Sequence, residues 1–185
     1  MGFIATGIPG LWLYEPKVFS DERGFFLESY NQAVFEAQGL KYSFIQDNHA
    51  LSRTKGVLRG LHFQLPPKSQ TKLVRVTRGE VLDVVVDLRQ GSPTYGRHAG
   101  FRLSAANFRQ LLVPKGFAHG YITLTETVEF LYKVDEYYAP ECDSGLIWND
   151  PDLAVDWGGD DPVLSPKDVK LGRFRDFVSP FVFEG

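Results

Sequence analysis

The sequence predicts an all-β protein, a sandwich or a barrel, and three observations support this fold class. Several short apolar or alternating segments are separated by glycine and proline breakers. Aromatic residues make up 14% of the chain, and aromatic side chains favour strands. Few segments have the periodicity of a helix. Many short strands with few helices are typical of two packed sheets or of one closed sheet.

The middle of the chain contains the clearest strand candidates. Residues 72–77 alternate between polar and apolar side chains, and residues 78–80 form a turn. Residues 81–88 form an apolar run typical of a buried strand, which residues 90–93 end. Further strands are predicted at 110–113, 120–124 and 127–134.

Two short helices and a packed tail complete the prediction. One helix covers about 32–38, with Asn31 as the N-cap and Gly39 as the stop. A second helix opens at Ser165, with Pro166 in its first turn. The aromatic tail after Phe174 is expected to pack on the body of the protein.

Size, charge and cysteine content limit the possible classes of protein. The 185 residues are enough for one domain, and we expect a single domain over 1–185. A net charge of -3 gives no basic field for nucleic acid or for an anionic membrane. No signal peptide is evident in residues 1–13, and no apolar run is long enough to span a membrane. The single cysteine, Cys142, excludes internal disulfides and fits a cytoplasmic location.

Two segments resemble motifs of the cupin superfamily, whose fold is a double-stranded β-helix, or jelly roll. They are GVLRGLHFQ at 56–64 and PKGFAHG at 114–120. In metal-binding cupins the first motif carries His-x-His and a following Glu, and the second carries another His. Here Gln64 replaces the second His, and Lys68 and Ser69 stand where the Glu would fall. His62 and His119 alone are fewer than the three or four protein ligands of a usual metal site. We therefore predict no metal, and His62 becomes available as a general base.

With these motifs, the chain resembles the dTDP-4-dehydrorhamnose 3,5-epimerase family over about 8–168. The matching blocks occur in order: DERGFFLE at 21–28, QDNH at 46–49, LRGLHFQ at 58–64, KLVRV at 72–76, PKGFAHG at 114–120, FLYK at 130–133, YY at 137–138, WNDP at 148–151 and LSPKD at 164–168. One such block would be weak evidence, whereas nine in the same order are specific.

The resemblance implies proton-transfer chemistry on a nucleotide-linked 4-keto-6-deoxyhexose. Hydrogens at C3 and C5 lie next to the C4 ketone, so removing one gives an enolate. Returning a proton from the opposite face inverts the carbon, which requires a base, an acid and a positive group at the ketone oxygen. No hydride moves, so we expect no cofactor.

The resemblance also assigns roles to individual residues. It implies His62 as the base, Asp168 as the carboxylate that orients it, Lys72 beside the keto oxygen and Tyr132 as the proton donor. It places Tyr138 where a ring stacks on thymine. The other substrate-contact positions are Arg23, Glu28, Gln46, Asp47, Asn48, Arg59, Lys72, His119, Asp143 and Lys167. The family also implies a homodimer in which the arm carrying Arg23 and Glu28 reaches the neighbouring site.

Structural alternatives exist for these residues. His62 and Tyr132 are compatible with core positions, and Asp168 with a helix cap alone. Strict alternation would place Arg59 and His62 on opposite faces of a strand, unless a bulge at Gly60 brings both inward.

Three other functions also fit parts of the pattern: a single-site 3- or 5-epimerase, a metal-dependent cupin enzyme, and a non-catalytic sugar-binding barrel. Tyr132 favours the double or the C5 reaction. The chain departs from the common family pattern at Ala50, Phe63 and Thr71, which shape the pocket and leave the catalytic groups intact.

Overall fold

The computed structural model describes residues 2–159 and 161–185, which form two large antiparallel sheets and a separate hairpin. The six-stranded sheet contains, in spatial order, β1 (Gly2–Ala5), β2 (Trp12–Glu15), β10 (Gln110–Val113), β7 (Lys72–Arg78), β12 (Val128–Val134) and β5 (Gln46–Ser52). The five-stranded sheet contains β13 (Asp143–Gly145), β6 (Leu58–Gln64), β11 (Phe117–Thr123), β8 (Glu80–Asp87) and β9 (His98–Ser104). The hairpin consists of β3 (Val18–Asp21) and β4 (Gly24–Leu27). The predicted all-β jelly-roll fold is confirmed.

The main core lies between the two sheets. Val74 and Phe130 of the six-stranded sheet pack in one cluster with Val85 and Phe117 of the five-stranded sheet. The apolar side chains predicted at alternate positions of β7 and β12 supply this inward face. Tyr132 packs at the border of the cluster, so the core ends where the cavity described below begins.

The predicted strands agree with the structure, apart from small shifts at their ends. The strand expected at 120–124 begins three residues earlier, because β11 is Phe117–Thr123. The first helix is also confirmed: α1 covers Gln32–Ala37, and the Asn31 side chain accepts a hydrogen bond from the Ala33 N–H. It packs on the outer face of the six-stranded sheet through Phe35.

The second predicted helix is wrong in type and position. The chain forms only a 3₁₀ turn over Asp168–Lys170, with Lys167 at its N-cap position. Ser165 still accepts a hydrogen bond from the Asp168 N–H, at 3.2 Å. The helix does not continue because Leu171 is extended and Gly172 pairs with Leu146 as a β-bridge.

A bulge in β6 determines which of its side chains face the cavity. His62 is opposite His119 and Arg59 is opposite Tyr121, so β6 has one more residue than β11 between these pairs. The strands approach closely at Gly60, where a Cβ would lie 2.5 Å from the Cα of Gly120. The bulge brings Arg59 and His62 to the same cavity, which strict alternation along the strand would not allow.

The segment after β13 crosses the outside of the five-stranded sheet. Parallel bridges join Val57 to Val163 and Leu146 to Gly172, and Phe177 lies 5.1 Å from Phe63 between ring centroids. This confirms the predicted packing of the aromatic tail, and it places Asp168 beside β6. No helix among the described residues has the length and apolar character needed to cross a membrane.

Candidate active site

One cavity of about 330 Å³ collects half of the residues predicted from the sequence. Predicted residues that line it are Arg59, His62, Lys72, His119, Tyr132, Lys167 and Asp168. Ala50, which the sequence placed at the pocket, also lines the cavity, together with three residues that were not predicted there: Tyr121, Phe130 and Ser165. The two sheets form opposite walls, with His62 on β6 and Tyr132 on β12.

His62 and Asp168 form a hydrogen-bonded pair. The Nε2 of His62 lies 2.5 Å from Oδ1 of Asp168, whose side chain is 2% exposed, against 29% for the histidine. Ser165 Oγ donates a hydrogen bond to the other oxygen, at 2.7 Å. A neutral imidazole that donates Nε2–H to the carboxylate has Nδ1 as its basic nitrogen.

Asp168 remains anionic in this pair. Burial by itself raises the pKa of its carboxyl, but the hydrogen bonds from His62 and Ser165 outweigh burial and hold the pKa below its ordinary value. An anionic partner stabilises the imidazolium that forms when His62 takes up a proton.

Tyr132 faces the cavity from the other sheet, on the same face of β12 as Phe130. Burial raises the pKa of its hydroxyl, although the nearby charge of Arg59 opposes the effect. The phenol therefore stays protonated at neutral pH and carries a proton that it can donate.

Lys72 lies on the inward face of β7, as its alternation with Val74 and Val76 predicted. Burial lowers the pKa of its amine to about 8, while the carboxylates of Asp83 and Asp143 act in the opposite direction. At neutral pH the amine is thus largely an ammonium group, a fixed positive charge in the cavity.

His119 has its own carboxylate partner, which the sequence did not predict. Its Nε2 lies 3.0 and 2.9 Å from the two oxygens of Asp83, and Asp83 is fully buried. The only sequence signal was an acidic residue inside the apolar run 81–88, which is costly without a partner.

Several predicted substrate-contact residues form a polar network. Tyr138 donates its hydroxyl hydrogen to Asp143 at 3.1 Å, and Lys167 forms an ion pair with the same carboxylate. Gln46 donates to Asn48 at 2.9 Å and accepts a hydrogen bond from the Tyr138 N–H at 3.3 Å.

Seven predicted contact residues do not line this cavity: Gln46, Asn48, Tyr138 and Asp143 of the network, and Arg23, Glu28 and Asp47. Asp47 forms an ion pair with Lys133 at 2.8 Å and lines a different pocket. Arg23 lies in the hairpin, 83% exposed and paired with Asp21. Glu28 follows the hairpin and accepts a hydrogen bond from Asn31.

Gln64, at the position of the second metal-cupin histidine, has a structural role. Its buried amide donates to the carbonyls of Lys68 and Tyr137 and accepts from the Ala139 N–H. Within residues 2–159 and 161–185, no three His, Cys, Asp or Glu side chains are grouped so as to hold a metal ion.

The cavity of this jelly roll contains a His–Asp pair on one wall, a tyrosine on the other and an ammonium group between the sheets. These are the groups of a carbohydrate isomerase of the epimerase class. The sequence model of the family described as dTDP-4-dehydrorhamnose 3,5-epimerase matches residues 5–176. The chain belongs to this family, which confirms the resemblance and the enzyme class.

Individual relatives agree with this assignment. The chain is 56% identical to dTDP-4-dehydrorhamnose 3,5-epimerase of Pseudomonas aeruginosa, over 91% of this chain and 93% of that protein. It is 52% identical to the enzyme of the same name from Shigella flexneri, over 95% and 97%. A crystal structure of the Legionella pneumophila dTDP-6-deoxy-D-glucose-3,5-epimerase in complex with dTDP-4-keto-L-rhamnose is 44% identical, with a TM-score of 0.94, over 100% of this chain and 99% of that one.

Proposed function

We propose that the protein inverts C3 and C5 of a dTDP-4-keto-6-deoxyhexose and converts dTDP-4-dehydro-6-deoxy-D-glucose to dTDP-4-dehydro-L-rhamnose. One observation carries the proposal: the His62–Asp168 pair and Tyr132 occupy opposite walls of one cavity that also contains Lys72. A base and an acid on opposite sides of a sugar ring are what inversion by proton transfer requires. The names of the relatives support the same substrate.

The mechanism follows from the four side chains. His62 Nδ1 takes the proton from the carbon next to the ketone, and the electron pair of that C–H bond moves into the enolate. The Lys72 ammonium stabilises the developing oxyanion, and Asp168 stabilises the imidazolium. Tyr132 then delivers a proton to the opposite face. Before the next inversion His62 must lose its proton and Tyr132 must regain one, so solvent hydrogen enters the product.

The nucleotide part of the substrate would bind at the polar network beside the cavity. Arg59 and Lys167 line the cavity and provide positive charge for the diphosphate. Tyr138 is exposed and is free to stack on the thymine ring. Gln46, Asp47, Asn48, His119 and Asp143 complete the proposed set of contacts.

We also propose that the enzyme is a cytoplasmic homodimer in which the hairpin arm of one protomer completes the site of the other. Arg23 and Glu28 do not line the cavity of their own chain. The hairpin presents Phe19, Phe25 and Phe26 to solvent, the last 66% exposed, and such an apolar surface is typical of an interface. The single free thiol of Cys142 suits a reducing compartment.

The test is to incubate the protein with dTDP-4-keto-6-deoxyglucose in D₂O and to locate deuterium in the recovered sugar by NMR. We expect deuterium at both C3 and C5. Deuterium at only one position would replace the proposal by a single-site epimerase, and none at either would leave a sugar-binding barrel. His62→Ala is the control, since it should incorporate no deuterium while still binding dTDP.

A further inference from the structure

Asp83 has no part in the mechanism above. It shares the inward face of β8 with Val81 and Val85, which pack in one cluster with Val74 and Val76 on the face of β7 that carries Lys72. It is on β8, next to β11, which carries His119. Both carboxylate oxygens are within hydrogen-bonding distance of His119 Nε2. His119 is in turn opposite His62 across the β6–β11 pair. Asp83 therefore contacts the histidine directly beside the proposed base.

A fully buried carboxylate is costly unless positive charge or hydrogen bonds compensate for it. Burial raises the pKa of Asp83, and His119 and Lys72 act against burial. Asp83 in turn raises the pKa of the Lys72 amine, and among the charges that act on this amine it has the largest effect. The other two charges are Asp143 on β13, which favours the ammonium form, and Lys167, which disfavours it. The remaining ionisable groups of the cavity are Arg59, His62, His119, Tyr121, Tyr132 and Asp168, of which Asp168 is already paired with His62.

We propose that Asp83 is a positioning residue of this epimerase: it holds His119 in the cavity wall and is the main negative charge that keeps Lys72 an ammonium group when the enolate forms. The inference rests on the proposed function. Because burial brings the pKa of Lys72 down to about 8, the loss of one nearby negative charge would shift the amine toward its neutral form at pH 8. A neutral amine stabilises an oxyanion far less than an ammonium group does.

The test is Asp83→Asn in the full chain, which keeps the shape of the side chain and removes its charge. We expect kcat to fall about fivefold at pH 8, with a smaller change in KM. We also expect the alkaline limb of the kcat/KM profile to move to lower pH by about one pH unit, because an opposite charge has been removed from beside a base. A purely structural role would not move this limb.

Asp87 provides a matched control on the same strand. It is also fully buried, and it accepts hydrogen bonds from Arg89, Ser92 and Thr94 away from the cavity. Asp87→Asn should lower the melting temperature and leave the alkaline limb of the kcat/KM profile at the same pH as in the wild type. If Asp83→Asn does not fold, Asp83→Ser removes the same charge in a smaller side chain.

An Asp83 variant with reduced turnover and an unmoved alkaline limb would overturn the proposal, because Asp83 would then have no effect on the charge of Lys72. A second check uses Lys72→Arg, because the guanidinium group stays charged without a nearby carboxylate. In that background the Asp83→Asn shift should disappear, and a shift that persists would also overturn the proposal. Failure of the proposed function is a separate result: the wild type would incorporate no deuterium.

Discussion

At the residue scale, the proposed chemistry depends on side chains whose protonation state is set by hydrogen-bond partners or by burial. Asp168 receives hydrogen bonds from both His62 and Ser165, so its negative charge is fixed next to the base. Tyr132 is instead held in its protonated form, because burial raises the pKa of its hydroxyl. The two walls therefore have a proton acceptor on one side and a proton donor on the other.

Tyr132→Phe should separate the two halves of the reaction. His62 can still remove a proton, but the opposite face has no donor, so turnover to inverted product should fall about 10²- to 10⁴-fold. Deuterium should still enter substrate of unchanged configuration, which mass spectrometry and NMR together detect.

Tyr121→Phe is the control for this variant. The Tyr121 hydroxyl is buried in the same cavity, and it has no hydrogen-bond partner among the described residues. Its removal should change turnover by no more than a few fold. Full turnover with correct stereochemistry in Tyr132→Phe would show that another group is the acid.

Lys72→Met should make the folded protein more stable while abolishing turnover. The lowering of the Lys72 pKa from 10.5 to about 8 means that the charged amine costs the folded state roughly 3 kcal/mol at neutral pH. Methionine has a similar length and carries no charge, so we expect a gain of about 1 to 3 kcal/mol in urea unfolding at pH 7.

The pH dependence of this difference has a definite sign. The unfolded chain binds more protons than the folded chain between pH 8 and 10.5, so Lys72 makes wild-type stability rise with pH over that interval. The advantage of Lys72→Met should therefore shrink from pH 7 to pH 10. Lys170→Met, at an exposed position, should show neither effect, and an advantage independent of pH would contradict the explanation.

The sequence predicted the proposed catalytic residues, including the His62–Asp168 pair, through family motifs, but it did not predict the contacts of Asp83 and Ser165. His62, Lys72, Tyr132 and Asp168 stand in recognisable blocks, and all four line one cavity. Asp83 was missed because its contact with His119 forms only in the folded structure. Ser165 was predicted only as a helix start, although it lies three positions before Asp168 and donates a hydrogen bond to its carboxylate. Asp83 appeared only as a polar residue inside a buried strand.

At the scale of elements, the decisive feature is the close contact of β6 and β11. Gly60 has a φ of 145°, in the region that favours glycine, and its neighbour across the strands is Gly120. Arg59 and His62 are three positions apart, so regular alternation would place them on opposite faces of β6. The bulge turns both side chains into the same cavity.

Gly60→Ala should damage both stability and activity. The added methyl group would lie 2.5 Å from the Cα of Gly120, and backbone strain adds to this overlap, so we expect a loss of about 2 to 4 kcal/mol in urea unfolding. Turnover should fall further than partial unfolding explains, because Arg59 and His62 would be displaced. Gly172→Ala, where nothing lies within 4 Å of the new Cβ, should stay close to the wild type.

Alternation and breakers were sufficient to predict the central strands, whereas the second helix was predicted wrongly. Ser165 and Pro166 are a good helix start, and the Ser165 hydroxyl does accept the Asp168 N–H. Tertiary pairing of Gly172 with Leu146 ends the turn after three residues, and a start signal alone cannot reveal this competition.

At the scale of the whole molecule, the hairpin arm and the cavity are separate parts of one chain. If the arm serves the neighbouring protomer, two inactive variants should complement each other. Arg23→Ala damages the arm and His62→Ala damages the barrel, so a mixed dimer contains one site with an intact arm and an intact barrel. After refolding the two variants together, about one quarter of wild-type activity should return.

Each variant alone should remain nearly inactive under the same treatment. A mixture without recovered activity, in which mixed dimers are demonstrated by native mass spectrometry, would show that Arg23 serves its own chain or has no role. The sequence could suggest this arrangement only through the family resemblance, because no periodic pattern in residues 18–28 indicates a partner.

The route of the chain after β13 has a consequence for biosynthesis. Asp168 of the proposed His62–Asp168 pair lies in the segment after β13. Isolated bridges and aromatic packing hold this segment to the barrel. A nascent polypeptide whose barrel has formed but whose final residues have not yet docked would present a histidine without its carboxylate. We expect such a chain to bind a sugar nucleotide without inverting it, so that activity would appear only when the segment carrying Asp168 has docked.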